Sequence, residues 1–152
     1  MSIKSEYLKL FVTATEKAAY GAYKFIGKND KIAADQAAVD NMRNEFNKID
    51  MDGKIVIGEG EMDEAPMLFI GERVGTKRGQ KIDLAVDPLE GTNFVAKNLP
   101  NSFSVLAASE KDNLFFAPRC KCKKKKNSKR TYKHEKDHGT DISFENETNN
   151  GK

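Results

Sequence analysis

The chain has no tryptophan, four prolines and two cysteines, and both cysteines (Cys120 and Cys122) lie in its last quarter. The first 118 residues therefore carry no disulfide framework, which excludes the small disulfide-stapled secreted class. Long apolar runs are missing as well. None approaches the roughly 18 residues of a membrane-spanning helix, so a helical membrane protein is not expected. The opening MSIKSEYLKLFV has neither the apolar stretch nor the small-residue cleavage site of a signal peptide. A cytoplasmic protein without a membrane partner is the expectation.

An excess of one charge is also lacking over most of the length. The whole chain holds 26 Lys plus Arg and 23 Asp plus Glu, a net +3 over 152 residues. Divided after Pro118, it becomes two unlike pieces. Residues 1–118 carry 15 basic and 18 acidic side chains, whereas residues 119–152 carry 11 basic and 5 acidic with only five hydrophobic residues. The positive charge belongs to the tail, so the globular part gives no reason to expect a nucleic-acid partner. Two domains of description follow: 1–118, a core-forming segment, and 119–152, a basic tail expected to be disordered.

Within 1–118 the apolar pattern changes period. Leu8, Phe11, Val12, Thr15, Ala18, Ala19, Ala22, Phe25 and Ile26 recur at helical spacing, predicting a helix over 3–27 closed by Gly27. Asn29 or Asp30 is placed to cap a second helix over 31–49, with Ala34, Ala37, Ala38, Met42, Phe46 and Ile49 on its apolar face. Short apolar runs between turn residues then predict strands at 55–57, 82–86, 103–107 and 114–116, with a helix near 65–74. Helices followed by several strands predict a layered α/β or α+β domain.

Carboxylates gather where strands should end. Ile57-Gly58-Glu59-Gly60-Glu61-Met62-Asp63-Glu64 holds four acids in six residues, and Asp83-Leu84-Ala85-Val86-Asp87-Pro88-Leu89-Glu90-Gly91-Thr92 runs from a strand into a turn. Strand alternation puts Asp83, Ala85 and Asp87 on one face, and Pro88 should close the strand because it has no N–H to donate. Glu90 would then swing back beside Asp87, Gly91 would allow close approach of a ligand, and Thr92 would offer a hydroxyl and an N–H at a helix start. Acidic turns are usually only solvated. Two of them after apolar strands repel one another unless a cation neutralises them, and carboxylates beside a phosphate seat fit Mg²⁺ with a phosphate ester. Asp35, early in the second helix, is by itself only a polar helical residue.

Asp87-Pro88-Leu89-Glu90-Gly91-Thr92 resembles the Asp-Pro-x-Asp/Glu-Gly-Thr/Ser signature of the metal-dependent, lithium-sensitive sugar and inositol phosphatases. Together with 31–39, 55–68 and 83–92 as longer runs, the chain is similar over about 1–118 to the class II fructose-1,6-bisphosphatases. The resemblance implies a layered α/β/α sugar-phosphatase fold, present here as an incomplete part with N-terminal helices followed by a mixed sheet. It implies Mg²⁺ or Mn²⁺, two or more ions per site, and hydrolysis of the 1-phosphate of fructose 1,6-bisphosphate in gluconeogenesis, with sedoheptulose 1,7-bisphosphate as a second substrate in some lineages. By the same resemblance the metal carboxylates are Asp35, Glu59, Asp87 and Glu90, and the phosphate-contacting residues are Glu90, Gly91 and Thr92. Asp63 is a further active-site acid, and Glu59 or Asp63 with the Thr92 hydroxyl would orient the attacking water. Glu61 and Glu64 are not needed to complete the metal set. A homo-oligomer is implied for a full-length member. An inositol-monophosphatase-like enzyme and an inactive truncated fragment stay open as alternatives.

The likeness fades after Pro118. One extra A ahead of the codons GAT GTA AAT GTA AAA AAA turns Asp-Val-Asn-Val-Lys-Lys into Arg-Cys-Lys-Cys-Lys-Lys, the residues at 119–124. A frameshifted tail is therefore the expectation for 119–152. It contains His134-Glu135-Lys136-Asp137-His138, which matches the zinc-protease pattern H-E-x-x-H but has no apolar stripe around it to build a half-buried helix. Cys120 and Cys122 have too few partners for a structural zinc site.

Overall fold

The computed structural model describes residues 3–58 and 67–114. Its elements in chain order are α1 (Glu6–Tyr23), α2 (Lys31–Phe46), β1 (Met51–Ile57), β2 (Arg73–Val74), β3 (Gln80–Glu90), α3 (Thr92–Ala96) and β4 (Phe103–Glu110). The strands form one mixed sheet in the order β2-β1-β3-β4, with β1 and β3 parallel at its centre and antiparallel pairs on either side. Helices followed by a mixed sheet make this an incomplete α/β fold. The helix pair lies on the sheet face that carries Ile82, Leu84 and Val86, so the described residues build two of the three layers that the resemblance implies.

The helix pair shows why these residues pack as they do. α1 buries Tyr7, Phe11, Ala14, Ala18, Gly21 and Ala22, a stripe at three- and four-residue spacing. Its small residues let α2 come close: a Cβ added at Gly21 would lie 2.6 Å from both the Ala37 carbonyl oxygen and Asn41 Nδ2. α2 begins where Asp30 accepts the Ala33 N–H (2.9 Å), and it buries Ala34, Ala38, Val39, Met42 and Phe46. The turn between the helices is tied to α3, since the Gly27 N–H donates to Val95 O (2.9 Å) and the Asn29 N–H to Ala96 O (2.8 Å).

Several expectations need correction. The first helix is shorter than 3–27, and its buried stripe is rotated from the one expected: Leu8, Val12 and Ile26 are exposed, and Tyr7, Ala14 and Gly21 are buried instead. No helix forms over 67–74. The edge of β1 captures that stretch, with the Ile55 N–H donating to Glu72 O, the Gly71 N–H to Ile55 O, and Arg73–Val74 pairing as β2. Gly71 and Gly75, at φ of 95° and 88°, suit turns and not a helix. Leu114 lies in a bend, and residues 115–116 of the last expected strand fall outside the described residues, as do 65–66 of the expected helix. Pro88 does not end its strand, because β3 continues to Glu90.

One side chain holds the captured stretch to α2. Arg43 donates Nε to Glu72 Oε1 (2.7 Å) and Nη2 to both Glu72 Oε2 (3.1 Å) and the Met67 carbonyl (2.6 Å), while Glu72 Oε2 also accepts the Phe69 N–H (3.3 Å). The hydrogen bond that Arg43 donates to Glu72 raises the guanidinium pKa above its ordinary value. Removing Arg43 strands a largely buried carboxylate and a carbonyl. Arg43→Ala is therefore expected to cost about 1–3 kcal/mol by denaturant unfolding, the range for losing a partner from a partly solvated pair. Arg43→Lys should recover only part of it, since an ammonium cannot bridge all three acceptors at once.

Candidate metal and phosphate site

The end of β3 carries the chemistry. Ile82, Leu84 and Val86 face the helices, which leaves Asp83, Ala85 and Asp87 on the opposite face, as alternation requires. Asp83 is only 4% exposed and is used locally, its Oδ2 accepting the Asp112 N–H at 2.6 Å. Asp87 sits where the ladder breaks its register. Asp87 pairs with Val105 and Glu90 with Phe103, so three steps along β3 oppose two along β4, and the extra residue forms a β-bulge. Pro88, fully buried, is tolerated in the strand at this irregularity.

The bulge brings Asp87 and Glu90 together. In a regular strand, residues three apart point to opposite faces. Here both carboxyl groups line one groove, and Asp87 Oδ1 accepts the Leu89 N–H at 3.1 Å. The neighbouring Asp87 carboxylate, by hydrogen bonding and then by its charge, raises the Glu90 pKa above its ordinary value, against an opposing effect of the Gly91 N–H. Two acids set side by side mark a place where positive charge is wanted.

Gly91 follows in the left-handed region at φ 80° and ψ 42°, and α3 starts at Thr92. A Cβ at Gly91 would meet Phe94 Cδ2 at 2.8 Å, so the glycine is explained by the turn and by packing against its own chain. The expected close approach of a ligand is not needed to account for it. Asp87, Glu90, Gly91 and Thr92 line a groove of about 380 Å³ together with Leu89, Asn93 and Phe94. Asn93 and Phe94 were not among the residues singled out from sequence; their only signal was adjacency to the motif.

Asp35 stands apart. Its Oδ1 is buried and has no hydrogen-bond partner among the described residues, and desolvation raises its pKa. Among the described residues no three His, Cys, Asp or Glu side chains are close enough to hold a metal ion, so Asp35, Asp87 and Glu90 do not form such a group by themselves. Glu59 and Asp63, with Glu61 and Glu64, lie outside the described residues. The donor set is hard oxygen throughout, and both the orphaned buried carboxylate oxygen of Asp35 and, separately, the Asp87–Glu90 acid pair are of a chemistry that fits a divalent cation. Leaving Asp35 charged and unmatched has a cost. Asp35→Asn is therefore expected to stabilise the cation-free protein slightly, by less than about 1 kcal/mol because the group is half solvated. Thermal denaturation with a chelator present checks the sign.

The described residues thus hold a mixed sheet whose central strand β3 ends in two acids and a glycine turn. Comparison with known proteins identifies the family. Residues 6–133 match the family described as bacterial fructose-1,6-bisphosphatase, glpX-encoded, and the chain belongs to that family. The match runs past Pro118 into the basic segment. The chain is 53% identical over 108 residues to fructose-1,6-bisphosphatase 1 class 2 of Escherichia coli (strain K12), covering 71% of this chain and 32% of that protein. It is 56% identical over 103 residues to the D-fructose 1,6-bisphosphatase class 2/sedoheptulose 1,7-bisphosphatase of Prochlorococcus marinus (strain MIT 9515), covering 68% and 31%. The protein of the same name from Thermosynechococcus vestitus is 52% identical over 119 residues, covering 70% and 34%. The chain thus spans about a third of the length of the curated relatives it matches.

Proposed function

We propose that this chain carries the metal-binding part of a phosphatase that removes the 1-phosphate of fructose 1,6-bisphosphate, giving fructose 6-phosphate and inorganic phosphate, and that acts in gluconeogenesis in the cytoplasm. Sedoheptulose 1,7-bisphosphate is a second substrate in this reading, in keeping with the names of two of the relatives. The observation that carries it is the Asp87–Glu90 pair, set on one side by a bulge and lining one groove with Gly91 and Thr92.

Asp87 and Glu90 would hold Mg²⁺ or Mn²⁺, with Glu59 and Asp35 completing the set around two or more ions. The chemistry such ions supply when bound is neutralisation of phosphoryl charge and a lowered pKa for an attacking water. The chain's own residues do the rest. Asp87 is fixed by the Leu89 N–H, which aims its carboxylate, and Glu90 stands beside it as the second carboxylate of the pair. Thr92, half-buried on the groove wall, offers its hydroxyl to a phosphoryl oxygen or to the water, and Glu59 or Asp63 accepts the water's proton. Glu90, Gly91 and Thr92 together form the phosphate contact.

Release of phosphate by the purified chain with Mg²⁺ or Mn²⁺, compared on fructose 1,6-bisphosphate and inositol 1-phosphate, tests this. Release from the sugar bisphosphate alone is expected for the proposed activity, and preference for inositol 1-phosphate would overturn it. A second reading is an inactive fragment: among the described residues Asp35, Asp87 and Glu90 do not by themselves close into a three-ligand group. Cation binding without release from either substrate would select that reading.

A further inference from the structure

We propose that Arg43 is a positioning residue for the metal site: its hold on Glu72 and on the Met67 carbonyl fixes the backbone against which Gly58 rests, and so sets cation affinity through Glu59, a role that depends on the metal function proposed above for Glu59.

The described residues on either side of 59–66 meet. A Cβ added at Gly58 would lie 2.3 Å from the Leu68 carbonyl oxygen and 2.8 Å from Ile55 Cγ2, so only glycine lets the end of β1 pass this close to Leu68. Leu68 has little room to give way, because its side chain is fully buried in the core cluster. Arg43 takes hold one residue earlier, at the Met67 carbonyl (2.6 Å). Its other bonds fix Glu72, whose N–H returns to the Phe69 carbonyl (3.0 Å). Contact therefore runs from Arg43 to Met67, from Leu68 to Gly58, and from Gly58 to its covalent neighbour Glu59. Arg43 lies a little over two turns beyond Asp35 on α2, so one helix carries one proposed ligand and steadies a second.

Stability alone gives a weak reason for an arginine here. The side chains are largely buried, Glu72 at 13% and Arg43 at 25% exposure, and desolvation of such a pair offsets most of its attraction. An apolar contact of similar volume would hold α2 to the 67–74 stretch about as well. What the guanidinium adds is direction. Its planar fork meets both Glu72 oxygens and the Met67 carbonyl at once, which fixes its partners in angle as well as in distance. Metal ligands depend on such support, and loss of a residue behind a ligand lowers affinity by about 10–100-fold.

The experiment titrates Mn²⁺ into this full chain by calorimetry, at a temperature where urea unfolding with a chelator present shows every variant folded. Arg43→Lys is expected to bind about tenfold or more weakly. Tyr7→Phe loses a hydrogen bond to Asp50 O, at the opposite end of β1. It should lower the unfolding midpoint and leave affinity within about twofold, as expected of an independent site. In a Glu59→Gln background Arg43→Lys should add little, because the ligand through which it acts is already gone. Should Arg43→Lys not fold, Glu72→Gln, which keeps one acceptor for the guanidinium, is read in its place with the same direction of change. Unchanged affinity in the Arg43 or Glu72 variant, an equal loss in Tyr7→Phe, or an undiminished loss in the Glu59→Gln background would overturn the proposal while leaving the metal reading intact. A wild-type chain that binds no Mn²⁺, or Glu59→Gln at wild-type affinity, would overturn both.

Discussion

Asp87→Asn is expected to weaken Mn²⁺ binding by about 100-fold or more, since disturbing only the residues behind a metal ligand already costs up to about that much. The substitution separates two roles of one side chain. Asparagine keeps an acceptor for the Leu89 N–H, so the turn into Gly91 should survive and the unfolding midpoint should hardly move. What is lost is the negative charge and the carboxyl partner that raises the Glu90 pKa. A proton on Glu90 competes with the cation for the same oxygens. Affinity should therefore rise as pH increases through the raised Glu90 pKa and level off above it, with a proton released on binding. The same proton favours the folded, cation-free state at low pH, and that contribution fades as pH climbs through the same value. In Asp87→Asn the Glu90 pKa falls back toward the ordinary range, so the residual binding should lose its pH dependence at lower pH than wild type. Titration calorimetry in buffers of different ionisation enthalpy measures both affinity and proton release. Wild-type affinity in the variant would remove Asp87 from the metal set.

Phe46→Ala is expected to destabilise the chain by about 3–5 kcal/mol, the range for emptying an aromatic site in a packed core. Phe46 is fully buried at the last turn of α2, in one cluster with Met42, Ile49, Met51 and Ile55. The site has little freedom to collapse. Just beyond it the chain turns into β1, the Tyr7 hydroxyl donates to Asp50 O (2.9 Å), and a Cβ at Gly79 would lie 2.2 Å from that same carbonyl. Those contacts hold the α2–β1 corner in place while the ring is removed, so most of the cavity should persist. Set against a total stability of roughly 5–15 kcal/mol for ordinary domains, such a loss should leave much of the population unfolded near physiological temperature. Denaturant unfolding followed by circular dichroism checks the magnitude, and a cost below about 1 kcal/mol would mean that the corner relaxes.

Local signals carried much of this architecture. The period expected over 31–49, with Asn29 or Asp30 ahead of it, located α2, which starts at Lys31 behind the Asp30 cap and ends three residues early at Phe46, and the apolar run at 82–86 found the central strand. Failures came where distant parts of the chain decide. α1 is apolar around too much of its circumference for periodicity to say which stripe meets α2; that choice is made by Gly21 fitting against Ala37 and Asn41. The 67–74 stretch has helix-compatible residues, but an open β1 edge and the Arg43 bridge offer its backbone better partners. At the site, Asp87, Glu90, Gly91 and Thr92 were legible as a motif, and the structure joins them around one groove. The packing of Gly91 against Phe94 was not legible, because nothing local says which way a side chain there would point. Asp35 drew its weight from resemblance alone, and its orphaned oxygen is a property only of the folded chain.

The extra residue at the bulge has a consequence for how this segment tolerates change. Between Asp87 and Glu90 the identities of the intervening residues matter less than their number, because the offset of one residue is what turns two acids from opposite faces to the same side. Replacing Leu89 by another apolar residue leaves that parity untouched. Deleting it straightens the ladder, restores strict alternation and separates the acids without altering either of them. The site is in this sense written as a length as much as a spelling, and a single lost codon there should silence it as completely as the loss of both carboxylates.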